Sequence, residues 1–117
     1  MPLFAIRVVN KAGAEALRAK NLPAHHDYLA ANAGIILIGG ATLDDDETAA
    51  RGALYIIDCA TRAEAQRFAD EDPLSLAGAR SEIVIAPWRT AVIDREYVFG
   101  TEKAGAPIPG QAPPIAR

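Results

Sequence analysis

Hydrophobic positions recur along this chain with two periods, and each change of period marks a new element. Leu3-Phe-Ala-Ile-Arg-Val-Val9 is dense in β-branched and aromatic residues and stops at Asn10-Lys-Ala-Gly13, which predicts a first strand. From Ala14 to Asn32 the spacing becomes helical, with Leu17, Ala24, Tyr28 and Ala31 as the apolar positions and Gly34 as the stop. Pro23 lies inside that stretch, where it removes an amide donor and crowds the preceding turn. A break near Asn21-Leu22 is therefore expected, with Asn21 capping a fresh start. Gly34-Ile-Ile-Leu-Ile-Gly39 and Ala53-Leu-Tyr-Ile-Ile-Asp-Cys59 are continuous apolar runs of strand length. Between them the repelling carboxylates of Asp44-Asp-Asp-Glu-Thr48 suit a solvated hairpin loop.

Thr61 and Glu64 have the spacing of a capping box, in which each side chain satisfies a backbone amide at a helix start. The helix they open has a buried stripe of Ala65, Phe68 and Ala69, and it ends before Asp72-Pro73 because a residue preceding proline avoids the α region. Glu82-Ile-Val-Ile-Ala86 is a fourth strand closed by Pro87. Ala91 to Phe99 has weak strand character, and Gly100–Arg117, with Pro107, Pro109, Pro113 and Pro114, reads as a mobile or draped tail.

The order β-α-β-β-α-β predicts an α+β fold of the ferredoxin-like type, with a four-stranded antiparallel sheet and two helices on one face. Two helices cover only that face, yet the strands carry apolar side chains on both. Ile83 and Ile85 point one way while Val84, Ala86 and Trp88 point the other. Either the tail folds over the uncovered face or a second subunit packs sheet against sheet. The size of the patch favours a homodimer, with Trp88 at its interface.

Composition narrows the function classes. The chain has 117 residues, 50% hydrophobic and 23% charged, which fits one domain able to fold without disulfides or structural metal. Its single cysteine, Cys59, excludes an internal disulfide and a multi-cysteine zinc site, and suits a reducing, cytoplasmic setting. The start of the chain lacks the pattern of a signal peptide, and no run approaches the roughly 20 apolar residues of a membrane helix. A net charge of −3 gives no electrostatic reason to approach nucleic acid or anionic lipid.

Candidate chemistry centres on His25 and His26, the chain's two histidines. Adjacent helix residues point about 100° apart, so the two imidazoles are not expected to face one site. If Tyr28 and Leu29 face inward, His25 lies beside the buried stripe while His26 turns toward solvent. A half-buried imidazole serves as general acid or base when a carboxylate fixes its tautomer, and Asp72, at the end of the second helix, is the candidate carboxylate. The competing reading is structural: a helix-edge histidine with a polar neighbour, and an aspartate that merely forms the turn before proline. The other features point nowhere in particular. Asp44–Glu47 lacks the ligand spacing of a calcium loop, Ser75 and Ser81 lack a nucleophile elbow, and Gly39-Gly40 lacks phosphate-loop spacing. Cys59 reads as a small buried hydrophobe. Neither a metal nor a cofactor is expected.

Four segments, in order and in register, resemble the YciI-like family (YCII-related domain). They are Leu22-Pro-Ala-His-His-Asp-Tyr-Leu29, Ala53-Leu-Tyr-Ile-Ile57, Ala69-Asp-Glu-Asp-Pro-Leu-Ser-Leu-Ala-Gly78 and Ile85-Ala-Pro-Trp-Arg89. The resemblance covers residues 1–90 and leaves residues 91–117 as a C-terminal extension, expected to pack on a partner subunit. It implies a dimeric α/β-barrel of ferredoxin-like subunits, with a cleft holding the histidine and aspartate that fall on His25 and Asp72. It also implies a binding arginine at Arg18. The sequence departs from the family at Leu22, where an arginine is common, at Gly39-Gly40-Ala41, often Ala-Gly-Pro, and at Leu74, usually aromatic. These departures imply a less cationic, reshaped pocket. Two functions stay open: an enzyme using a His-Asp acid/base pair on a small organic acid or lactone, and a non-catalytic small-molecule-binding or accessory dimer.

Overall fold

The structure, a computed structural model, describes residues 2–101 and residue 104. Four strands, β1 (Leu3–Asn10), β2 (Ile36–Leu43), β3 (Ala50–Asp58) and β4 (Arg80–Trp88), form one sheet in the order β2-β3-β1-β4. Every pairing is antiparallel. Helices α1 (Glu15–Ala31) and α2 (Arg62–Glu71) and the single turn α3 (Pro73–Leu76) lie on one face. The fold is the ferredoxin-like α+β arrangement that the order of elements predicts. A 3₁₀ turn at Ala33–Ile35 takes the start of the expected second strand, and β2 instead runs on to Leu43.

Register explains the core. Phe4, Ile6 and Val8 of β1 alternate inward, opposite Ile57, Tyr55 and Ala53 of β3 and beside Ile85 of β4. Ala65, Phe68 and Ala69 of α2 close over them, as the stripe predicts, and Cys59 joins the same cluster. Tyr55 meets Phe68 edge to face at 5.7 Å, a favoured aromatic geometry. Two glycines make the strands fit. A Cβ on Gly39 would lie 2.5 Å from the Tyr55 ring, and one on Gly52 would strike the Val8 carbonyl. Pro87 does not end β4, which pairs onward to Trp88. β4 is an edge strand, so the missing amide costs no ladder bond.

Three local expectations are corrected. α1 runs through Pro23 as one helix. Pro23 and Ala19, the residue whose carbonyl loses its amide partner, are both exposed, so water can satisfy that carbonyl. Asn21 does not cap a second segment; its amide donates to the Leu17 carbonyl one turn back. Of the expected apolar stripe only Tyr28 packs on the core, because Leu17, Ala24 and Ala31 all face solvent. The inward face instead carries Arg18, Leu22, His25 and Leu29, spaced by four, three and four residues.

The second helix start follows the capping pattern with one change. Thr61 Oγ1 accepts from the Glu64 amide, while Glu64 reaches one residue further back, to the Ala60 amide. In the β2–β3 loop the carboxylates do more than repel. Asp44 and Asp46 accept from the Thr48 amide, and the Thr48 hydroxyl holds the Asp46 carboxyl below its ordinary range. Beyond β4 a two-residue hairpin, β5 (Val92–Ile93) with β6 (Glu96–Tyr97), turns through Asp94 and Arg95 at positive φ. Residues 105–117, where most of the proline-rich tail lies, fall outside the described residues.

The helix-free face is apolar as expected. Ile38, Leu54, Val84 and Trp88 are exposed on it, spread over β2, β3 and β4. Among the described residues no helix is long and apolar enough to cross a membrane.

Candidate active site

Three chain segments meet at the end of the sheet where β1 finishes and β4 begins. The β1 end is tied to the β4 start by the Lys11 amide, which donates to the Ala79 carbonyl at 2.8 Å. α1 passes over this end, and the α2–α3 junction closes it. The junction exists because Asp72-Pro73 stops α2 and restarts the chain: Pro73 occupies the first turn of α3, and the Asp72 side chain caps it by accepting from the Leu74 amide at 2.9 Å. A capping aspartate turned toward α1 is thereby held rigidly.

His25 comes down from α1 onto that carboxylate. Its Nδ1 lies 2.8 Å from each Asp72 oxygen, and both residues are buried, at 7% and 1% exposure. Arg80, at the first position of β4, donates from Nη2 to Asp72 Oδ2 at 3.2 Å and from Nη1 to Ser75 Oγ at 2.9 Å. The Ser75 hydroxyl in turn donates to the Ala69 carbonyl at 2.6 Å. Burial pushes the Asp72 carboxyl up. The hydrogen bonds from His25 and the Leu74 amide, with the Arg80 charge, outweigh burial and hold it below the ordinary aspartate value.

An anionic Asp72 can only accept, so the His25 Nδ1 carries the proton and Nε2 is left as the basic nitrogen. No described residue partners Nε2. The ring borders a cavity of about 210 Å³ whose polar wall is Asn10, Arg18, His25, His26 and Arg80. Leu22, Leu29, Tyr55 and Leu74, with short residues of β2 and β3, form the rest. Arg18 approaches with a buried Nε that finds no hydrogen-bond partner. Tyr55 stays protonated: burial raises its hydroxyl, and the nearby Arg80 cation only partly opposes this. The cavity thus offers two guanidinium groups and two imidazoles between apolar side walls, in a space the size of a small ring. Among the described residues no three His, Cys, Asp or Glu side chains gather as a metal site.

The sequence pattern of the YCII-related domain family matches residues 2–89. The chain belongs to that family. A solved structure, the 5-chloro-2-hydroxyhydroquinone dehydrochlorinase (TftG) of Burkholderia phenoliruptrix AC1100 in complex with 2,5-dihydroxybenzoquinone, is similar to this YCII-related domain. The two are 27% identical with a TM-score of 0.69, over 74% of this chain and 93% of that one. No curated protein matches this chain.

The structure brings together the three residues singled out in the sequence of this YCII-related domain: His25 and Asp72 in direct hydrogen bonding, and Arg18 in the wall of the same cavity. One expectation is corrected. His25 and His26 both line the cavity, with ring centroids 5.6 Å apart. α1 runs along the cavity's edge, so consecutive residues straddle its rim, His25 inside and His26 exposed at the mouth. Leu22 stands in the wall of the same cavity, beside His25. Arg80 was not legible: it follows Ser75 across the Gly78 turn at a spacing no motif rule describes, and only the fold sets it against Asp72.

Proposed function

We propose that the cavity is the active site of a proton-transfer enzyme acting on a small, flat, oxygen-bearing compound such as a hydroxylated ring, an organic acid or a lactone. The supporting observation is the buried His25 Nδ1, 2.8 Å from both oxygens of Asp72, with Nε2 unpartnered at the cavity. Asp72 fixes the ring and stabilises the imidazolium that forms when Nε2 takes a proton from the substrate. Arg18, in the cavity wall, holds the oxygen on which negative charge develops. Nε2 then returns the proton at another atom or to a leaving group. The related TftG, a dehydrochlorinase in complex with 2,5-dihydroxybenzoquinone, supports a small oxygenated ring as the ligand class.

The test pairs a melting shift with product detection on a panel of hydroxyquinones, hydroxylated aromatics, lactones and small organic acids. Product, or deuterium incorporated from D₂O, supports catalysis. A melting shift with neither supports the second reading, a binding or accessory module built on the same cavity.

The open sheet face is the proposed homodimer interface. Ile38, Leu54, Val84 and Trp88 spread across it, and its exposed charges, Arg7 and Glu82, pair with each other at 3.3 Å, so little net charge resists burial. A twisted antiparallel face packs well against a copy of itself, as in aligned sheet pairs. Sedimentation should report a dimer, and Val84→Asp a monomer that keeps the fold. A wild-type monomer at high concentration would count against this assembly.

A further inference from the structure

Arg80 has a place in the site that neither packing nor capping explains. It is nearly buried, with a side chain 5% exposed, and both of its terminal nitrogens are committed, Nη2 to Asp72 and Nη1 to Ser75. The Asp72 carboxylate is consequently clamped on both oxygens: Oδ1 by the Leu74 amide and Oδ2 by Arg80, with His25 Nδ1 equidistant between them.

A buried carboxylate beside a histidine favours the imidazolium, because forming the ion pair is one way to offset the buried charge. The further that balance tips, the smaller the share of molecules holding a free base when substrate arrives. A guanidinium on the far oxygen changes this balance. With Arg80 present, Asp72 is neutralised before His25 takes any proton, and a proton on His25 makes the trio net positive. The other groups facing His25 do not reverse this. Arg18 and His26 of α1 add positive charge when protonated, Tyr55 of β3 is neutral, and Glu71 lies with Asp72 on the Tyr28 side.

We propose that Arg80 is a positioning residue that keeps His25 neutral, and so available as a base, by pre-neutralising and orienting Asp72. This deepens the reading of the cavity as a proton-transfer site and rests on it. The Ser75 hydroxyl completes the device by fixing the other end of the guanidinium.

The imidazole proton resonances of His25, assigned by comparison with His26→Gln, should be followed against pH in the wild type, Arg80→Gln and Arg80→Lys. Arg80→Gln is expected to raise the His25 midpoint by about one unit or more, the scale of one neighbouring charge. Arg80→Lys, which keeps the charge, should return the midpoint toward wild type. A folded Arg80→Gln protein with the wild-type midpoint would overturn the proposal and leave Arg80 a structural residue. Should Arg80→Gln fail to fold, Ser75→Ala, which removes only the Nη1 anchor, is read in the same way: a smaller rise supports the proposal, and no rise overturns it. The midpoint is read without substrate. A shift in a protein that turns nothing over would therefore leave Arg80's role standing and sink the enzyme reading.

Discussion

The two long helices lie on the same face of the same sheet and do different work. α2 presents Ala65, Phe68 and Ala69 to the strands and is buried along an apolar stripe, the ordinary way a helix is held to a sheet. α1 turns Arg18, Leu22, His25 and Leu29 inward, and of its inward residues His25 alone is fully buried. Only Tyr28 and Leu29 pack on the core, and polar links add to their hold: Tyr28 donates to the Phe68 carbonyl at 2.8 Å, and His25 bonds Asp72. One helix seals the layer, and the other stands off far enough to leave a cavity with a base in its wall. Stability and chemistry are divided between neighbours.

Substitutions that respect this division should separate the two roles. Asp72→Ala is expected to have the largest effect, because it strips a buried Arg80 and His25 of their shared partner. Breaking a buried pair costs about 3–5 kcal/mol, and denaturant unfolding should show that loss together with collapse of turnover. Phe68→Ala should cost a similar ~3–5 kcal/mol by opening the core under α2. In that variant any turnover surviving at a temperature where the protein is folded should keep its pH dependence. Equal sensitivity of the pH profile to both substitutions would erase the distinction between the helices.

Acid gives a gentler probe. The Asp72 carboxyl lies below its ordinary value in the fold, so the unfolded chain takes up that proton first as pH falls. Its contribution to stability is full above the unfolded aspartate value of roughly 3.9 and is lost as pH drops through the lower folded value. In Asp72→Ala this part of the acid-induced loss should vanish, which melting curves at successive pH values would show. The smallest effect belongs to Leu17→Ala, on the solvent side of α1, where a change within about 0.5 kcal/mol is expected. A loss of core size there would mean the helix faces the sheet with its apolar residues after all.

This division also accounts for what could be read in the chain itself. Strands announce themselves by dense β-branched runs, and α2 by a capping pair and an apolar stripe, so the ferredoxin-like order is legible in the amino-acid sequence alone. α1 is recognisable as a helix but its orientation is not. A search for apolar periodicity selects Tyr28, which packs on the core, together with Leu17, Ala24 and Ala31, which face water, because the residues that point inward are partly polar. Places where local rules fail tend to be functional, and here the failure marks the cavity. His25 and Asp72 are visible through their own chemistry, one an imidazole and the other an aspartate before proline. Arg80 is invisible in the same terms: it meets Asp72 and Ser75 across the turn at Gly78, a geometry no motif spacing encodes.

The most direct test of the central claim is turnover by His25→Ala on any compound the wild type converts, measured with and without added imidazole. If His25 Nε2 moves the proton, the variant should fold, lose about 10²–10⁴-fold in rate and recover part of it when free imidazole fills the vacated space. Undiminished turnover in the variant without imidazole would contradict the account.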